Sequence, residues 1–152
     1  MKRIALLAAA AAIITGTVVP AAAASGSSPA FTLNASIAGG ITVAKPLDNL
    51  TFVFTETNHT NETVNENVVL VYVRNVKIHQ PMTCVVDGAI QPMDGRRCEP
   101  GGLAAGESAS IVVATNVHSQ PVLPATAAAR ACLVNGDTGV RGPCKTVYAN
   151  LP

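Results

Sequence analysis

Tryptophan is missing from this 152-residue chain, and three phenylalanines and two tyrosines make up its whole aromatic content of 3%. A pocket walled by stacked rings is hard to furnish from Phe31, Phe52, Phe54, Tyr72 and Tyr148 alone. The missing indole also excludes the Cys…Trp…Cys core of antibody-type domains. No CxxC spacing occurs, so the cysteines lack the ligand pattern of a zinc site, and neither a metal nor a cofactor is expected. His59, His79 and His118 stand singly, with no i, i+4 pairing and no carboxylate cluster beside them. A Gly-x-Ser-x-Gly elbow is absent, and Gly101-Gly102 has no phosphate-loop context. Asp137-Thr138-Gly139 spells the triplet of aspartic proteases, but Asn135-Gly136 precedes it where an apolar strand end would be needed, so a plain turn is expected. These absences remove the common routes to catalysis, and no catalytic residue is assigned.

Charge of one sign is also scarce. Without Lys2 and Arg3 the chain has eight basic and nine acidic residues, a net charge of about −1, and Arg96-Arg97 is the one basic pair left. Nucleic acid and anionic membrane are therefore poor partners. No period of 3.6 runs for a useful length, no internal repeat occurs, and no long apolar run follows the first one.

That first run is informative. Lys2-Arg3 is followed by the unbroken apolar stretch Ile4 to Ile14, then by Val18-Val19-Pro20 and Ala21-Ala22-Ala23-Ala24-Ser25. A charged start, an apolar centre and small residues at a cut site make a secretory signal, expected over residues 1–24 with cleavage after Ala24. Gly16 and Pro20 interrupt the run, which argues against a retained membrane anchor. Residues 25–30 form an expected flexible leader, and residues 31–152 one domain. The exported product is expected outside the cell and off the membrane.

All four cysteines, Cys84, Cys98, Cys132 and Cys144, fall in the exported part. An even count in an oxidising compartment reads as two disulfides. The sequential pairing, Cys84–Cys98 and Cys132–Cys144, is favoured because each closes a short loop containing Asp-Gly or Asn-Gly. Loops of this length each contribute about 3 kcal/mol in the chain-entropy account, and both bridges are expected to clamp outer bends.

The rest alternates short β-prone runs with turn clusters. Phe31 to Ile37 alternates apolar and polar residues, and Leu50, Phe52 and Phe54 share one face of the run Leu50 to Glu56. Asn67 to Val73 is apolar on both faces, as a central strand requires. Met82 to Val86, Ser108 to Thr115, Ala125 to Val134 and Cys144 to Leu151 complete the set. The alanines of Ala125 to Ala131 would suit a helix, but Pro121 and Pro124 precede them and β-branched residues follow, so a strand is expected. About seven short strands with turns between them predict an all-β antiparallel sandwich.

The segments Asn49-Leu-Thr-Phe-Val-Phe-Thr-Glu-Thr-Asn58, Val68-Val-Leu-Val-Tyr72 and Gly102-Leu-Ala-Ala-Gly106-Glu-Ser-Ala-Ser-Ile111 together resemble bacterial Ig-like modules of the cell-adhesion-related (CARDB) type. The resemblance covers roughly residues 40–115 and implies an Ig-like sandwich used as a non-catalytic spacer or binding platform. The chain departs from the pattern at His59-Thr60 and in its two disulfide loops. The expected role is thus a secreted structural or protein-interaction module, its partner an extracellular protein or cell-surface component. Two alternatives stay open. Arg96 and Arg97, beside Cys98, form a candidate interaction loop of the kind with which secreted inhibitors engage trypsin-like proteases. A small carrier of apolar ligands is the other.

Overall fold

The computed structural model describes residues 30–122 and 125–152, so the expected signal and all but the last residue of the leader lie outside the described residues. Where apolar and polar residues alternate, the chain extends and buries one side. Strand β1 (Phe31–Ile37) and β2 (Asn49–Asn58) behave in this way, with Leu50, Phe52 and Phe54 all buried. Strand β3 (Glu66–Arg74) is followed by the short β4 (Val76–Ile78), β5 (Thr83–Val86), β6 (Ala89–Gln91), β7 (Met93–Asp94) and β8 (Arg97–Cys98). Three ten-residue strands close the chain: β9 (Ser108–Val117), β10 (Thr126–Asn135) and β11 (Arg141–Asn150).

Two antiparallel sheets result. One has the order β1-β2-β9-β5-β6, with β4 also on β9; the other has the order β11-β10-β3-β8-β7. Their inner faces meet in one core that holds Leu50, Phe52, Phe54, Ile111 and Val113 from the first sheet and Val68, Leu70 and Leu133 from the second. The Ala-rich run is strand, as expected. Ala127, Ala129 and Ala131 lie fully buried on its inner face, where small side chains leave room for the two phenylalanines of the same core. Opposite the alanines, β3 carries a bulge: Arg130 pairs with Tyr72 and Ala131 with Leu70, leaving Val71 over.

Both expected disulfides are present, and they do different work. Cys84 lies on β5 and Cys98 on β8, so this bridge joins the two sheets, and both residues are fully buried in the core. It therefore does not clamp an outer bend. The chain between the two cysteines makes two tight hairpins while it crosses from one sheet to the other. The first turns at Asp87-Gly88, both at positive φ, as the hairpin twist demands. Cys132 and Cys144 instead face each other across neighbouring strands, with Cα atoms 4.0 Å apart, and fix the register of β10 against β11.

The β10–β11 turn forms at Asn135-Gly136 as expected. Asn135 Oδ1 accepts bonds from the Thr138 amide and hydroxyl, each at 2.8 Å, so the protease-like triplet is turn structure. A Cβ at Gly136 would meet the end of the Asn65 side chain, which would have to turn aside. The outer strand β11 carries Arg141, Pro143 and Lys145, which discourage edge-to-edge pairing.

Because Cys84–Cys98 ties two layers and fills core volume, its removal should cost more than removal of the cross-strand pair. The double variant Cys84→Ala/Cys98→Ala is expected to lose about 4–5 kcal/mol, and Cys132→Ala/Cys144→Ala about 2–3 kcal/mol, by urea denaturation.

Candidate functional site

At one pole of the sandwich, the end of β2 meets the turn before β9. Asn58 is fully buried there, and its side chain uses all its capacity. The Nδ2 group donates to the carbonyls of Glu62 and Leu103 at 2.8 Å and of Ala104 at 3.2 Å. Its Oδ1 accepts from the Thr60 amide at 2.8 Å and hydroxyl at 2.7 Å. On the other side Glu107 Oε2 accepts from the Ala104 amide at 2.7 Å, and Gly106 turns at a φ of 81°. The segments behind the adhesion-module resemblance thus bond to each other, Asn58 to Leu103-Ala104. Their chemistry is that of a structural clasp.

Directly inside this clasp lies a residue that sequence reasoning missed. Glu56 follows Leu50, Phe52 and Phe54 on the inner face of β2, between Leu33 of β1 and Ala109 of β9. Its solvent exposure is 0%, and neither carboxyl oxygen has a hydrogen-bond partner. Burial, and then the nearby Glu66 carboxylate, push its pKa up to about 8. At neutral pH it is chiefly the uncharged acid. The signal was available: position 56 has the same parity as the buried 50, 52 and 54.

Glu66 faces it from the start of β3 and accepts a bond from Asn135 Nδ2 at 3.0 Å. Beside this pair opens a cleft of about 360 Å³, walled by Phe31, Leu133, Val140 and Pro143 with Glu66 and Asn135. A second cleft of about 280 Å³ runs along β1 beneath Pro143 and Lys145. A third, of about 330 Å³, holds Lys77 and His118 at the other pole.

The Arg96-Arg97 pair does not stand free. Arg97 lies in β8 and pairs with Glu99 at 2.9 Å. The Arg96 carbonyl accepts the Leu70 amide at 2.9 Å, and its guanidinium reaches the Val71 carbonyl at 3.4 Å. The peptide between them is thus held against β3. His59 bonds Thr32, while His79 and His118 lie elsewhere on the surface, so the three histidines are not brought together. Among the described residues no group of three His, Cys, Asp or Glu side chains is placed to hold a metal ion, and no helix is long and apolar enough to cross a membrane.

No family model matches the chain, and no curated protein does. Solved structures do. BcpA, the major pilin subunit of Bacillus cereus, is 14% identical with a TM-score of 0.52 over 80% of this chain and 39% of the pilin. The N-terminal domain of the Streptococcus gordonii adhesin Sgo0707 is 11% identical with a TM-score of 0.52, over 82% of this chain and 33% of that one. The chain therefore spans about two fifths of the pilin structure and a third of the adhesin structure. AvmM, which catalyses macrocyclization in alchivemycin A biosynthesis, aligns with a TM-score of 0.49 at 14% identity over 80% of this chain and 88% of its own. The shared property is the fold, an Ig-like sandwich like those in bacterial pilin and adhesin structures.

Two outcomes follow from the polar pole. Asn58→Ala should cost about 3 kcal/mol or more in urea denaturation, since it orphans several buried backbone groups at once. Glu56 binds its proton more tightly folded than unfolded, at about 8 against 4.5. The Glu56 contribution to stability should therefore be fully present below about pH 4.5, fall by about 1.4 kcal/mol per pH unit between the two values, and be lost above about pH 8. Denaturation series at pH 5, 7 and 9 should show this slope in the wild type and its loss in Glu56→Gln.

Proposed function

We propose that this chain is an exported, non-catalytic Ig-like module of the adhesion-related, CARDB-like type, acting through its surface as a structural or protein-interaction unit. The observation that carries the reading is the Cys84–Cys98 cystine sealed between the sheets of a sandwich with the fold of pilin and adhesin domains. A dithiol buried in the core forms that bridge in an oxidising compartment, which agrees with the export signal read at residues 1–24. The space between the sheets is filled by Phe52, Phe54 and the aliphatic core. What remains for recognition is the outside of two stiff layers, held in place covalently, so a partner binds with little ordering cost.

Expression of the full chain in a bacterial host, followed by intact mass and N-terminal sequencing of the culture supernatant, tests this reading. The expected product begins at Ser25 and has no titratable thiol. A product retained inside the cell with Met1 and four free thiols would overturn it. A carboxyl–amine cross-linker applied to producing cells should trap the exported chain in a discrete adduct with a surface protein; monomer alone would count against the interaction role.

A further inference from the structure

On the outer face of the second sheet, strand register collects side chains that lie far apart in the chain. Ala128 of β10 pairs with Arg74 of β3 on one side and Tyr148 of β11 on the other. Two residues on, Arg130 pairs with Tyr72 and Thr146. Cross-strand partners share a face, and the buried Ala127, Ala129 and Ala131 point inward, so these six residues point outward. Both tyrosines of the chain therefore sit with two arginines on one flat grid.

Three features mark the grid as a recognition surface. Arg74 and Arg130 are exposed, and among the described residues neither guanidinium has an ion pair or side-chain hydrogen bond, whereas Arg97 on the same sheet is neutralised by Glu99. No Asp or Glu occupies the grid. Tyr148 is 60% exposed, yet Ala128 beside it is nearly covered, as expected where the flanking Tyr148 and Arg74 side chains lean across it. Val43, paired with Asn150 at the end of β11 and 60% exposed, extends the surface with an apolar flank. Two residues before it, Ile41 is also exposed.

The geometry points to this face as the docking site for an acidic surface of another protein, its carboxylates taken by the Arg74 and Arg130 forks and its apolar residues by Tyr148 and Val43. Arg74 and Arg130 are diagonal neighbours, about 7–8 Å apart at the backbone, a separation that two carboxylates on one extended segment span. Tyrosine and arginine are the residues that dominate protein interfaces, and an arginine fork binds a carboxylate at two points. Thr126, Thr146 and Asn150 add neutral hydrogen-bonding side chains to this face, but its apolar flank of Tyr148 and Val43 suits the apolar residues of a protein surface, which an acidic glycan lacks. The Cys132–Cys144 bridge lies on the same face, one outward position from Arg130 and Thr146, and locks the register that sets these side chains side by side.

This inference rests on the reading of the chain as an interaction module and names the chemistry of its partner. The test uses the purified oxidised chain, a copolymer of glutamate and tyrosine as the probe, and two-dimensional NMR of the backbone amides. Saturable, salt-sensitive binding with shifts confined to β3, β10 and β11 is expected. Arg74→Gln/Arg130→Gln should weaken it about tenfold or more while the urea midpoint stays put, because both side chains are exposed. Unchanged affinity in that variant, shifts on another face, or no binding would overturn the assignment. So would equal binding of polygalacturonate, which would give the face to a glycan. None of these results touches the export test, and failure of the export test leaves the NMR result standing, so the two readings fail separately.

Discussion

The distance between the two sheets is set where Phe52 and Phe54 of β2 share the core with the alanines of β10. Large side chains from one layer and small ones from the other fill the gap at interior density, which brings the sheets close enough for a cystine to pass between them. Cys84 and Cys98 can then join without moving either strand, at a Cα separation of 5.2 Å. The polar clasp at Asn58 and the buried acid of Glu56 both lie at the end of this packed row, where the core gives way to hydrogen-bonded turns. Glu56 is the exception to the apolar interior, and it is tolerated because it takes up a proton.

Much of this was legible beforehand, and the reason is parity. A period of two over Leu50, Phe52 and Phe54 needs no tertiary knowledge, and the two-faced apolar run at Asn67 to Val73 did prove central, between β10 and β8. The sequential cysteine pairing was readable from loop length. Less legible was everything that depends on which layer a segment joins. Strands of two or three residues such as β7 and β8 carry too few positions for any pattern, so the crossing of the chain between sheets was hidden, and with it the inter-layer character of Cys84–Cys98. Arg97, read from the sequence as part of an exposed loop, pairs in β8 with Val69 of β3 for the same reason, while Arg96 does occupy an exposed turn.

The tyrosine–arginine grid was hidden for a further reason. Its members come from three strands, and the bulge at Val71 shifts the parity of β3 partway along. Without that shift Tyr72 and Arg74 would point into the core opposite the inward alanines. One extra residue therefore decides that a cation and a phenol, Arg74 and Tyr72, are presented to solvent beside Arg130. Sequence spacing alone does not reveal such a device, because a bulge is defined by its partner strand.

The start of β1 at Phe31 and the end of β11 at Asn150 bear on how the domain meets tension. The chain enters beside Pro143 at the start of β11 and leaves beside Thr42 to Ala44, at opposite poles of the long axis. A pull on both ends therefore loads the strands lengthwise, in shear. The spans of 14 and 12 residues behind the two cystines cannot pay out even if the layers part, which withholds about 90 Å of contour. Placed in line between two anchored bodies, such a unit would extend by about a fifth less than the same chain without its cystines before those bridges bore the load.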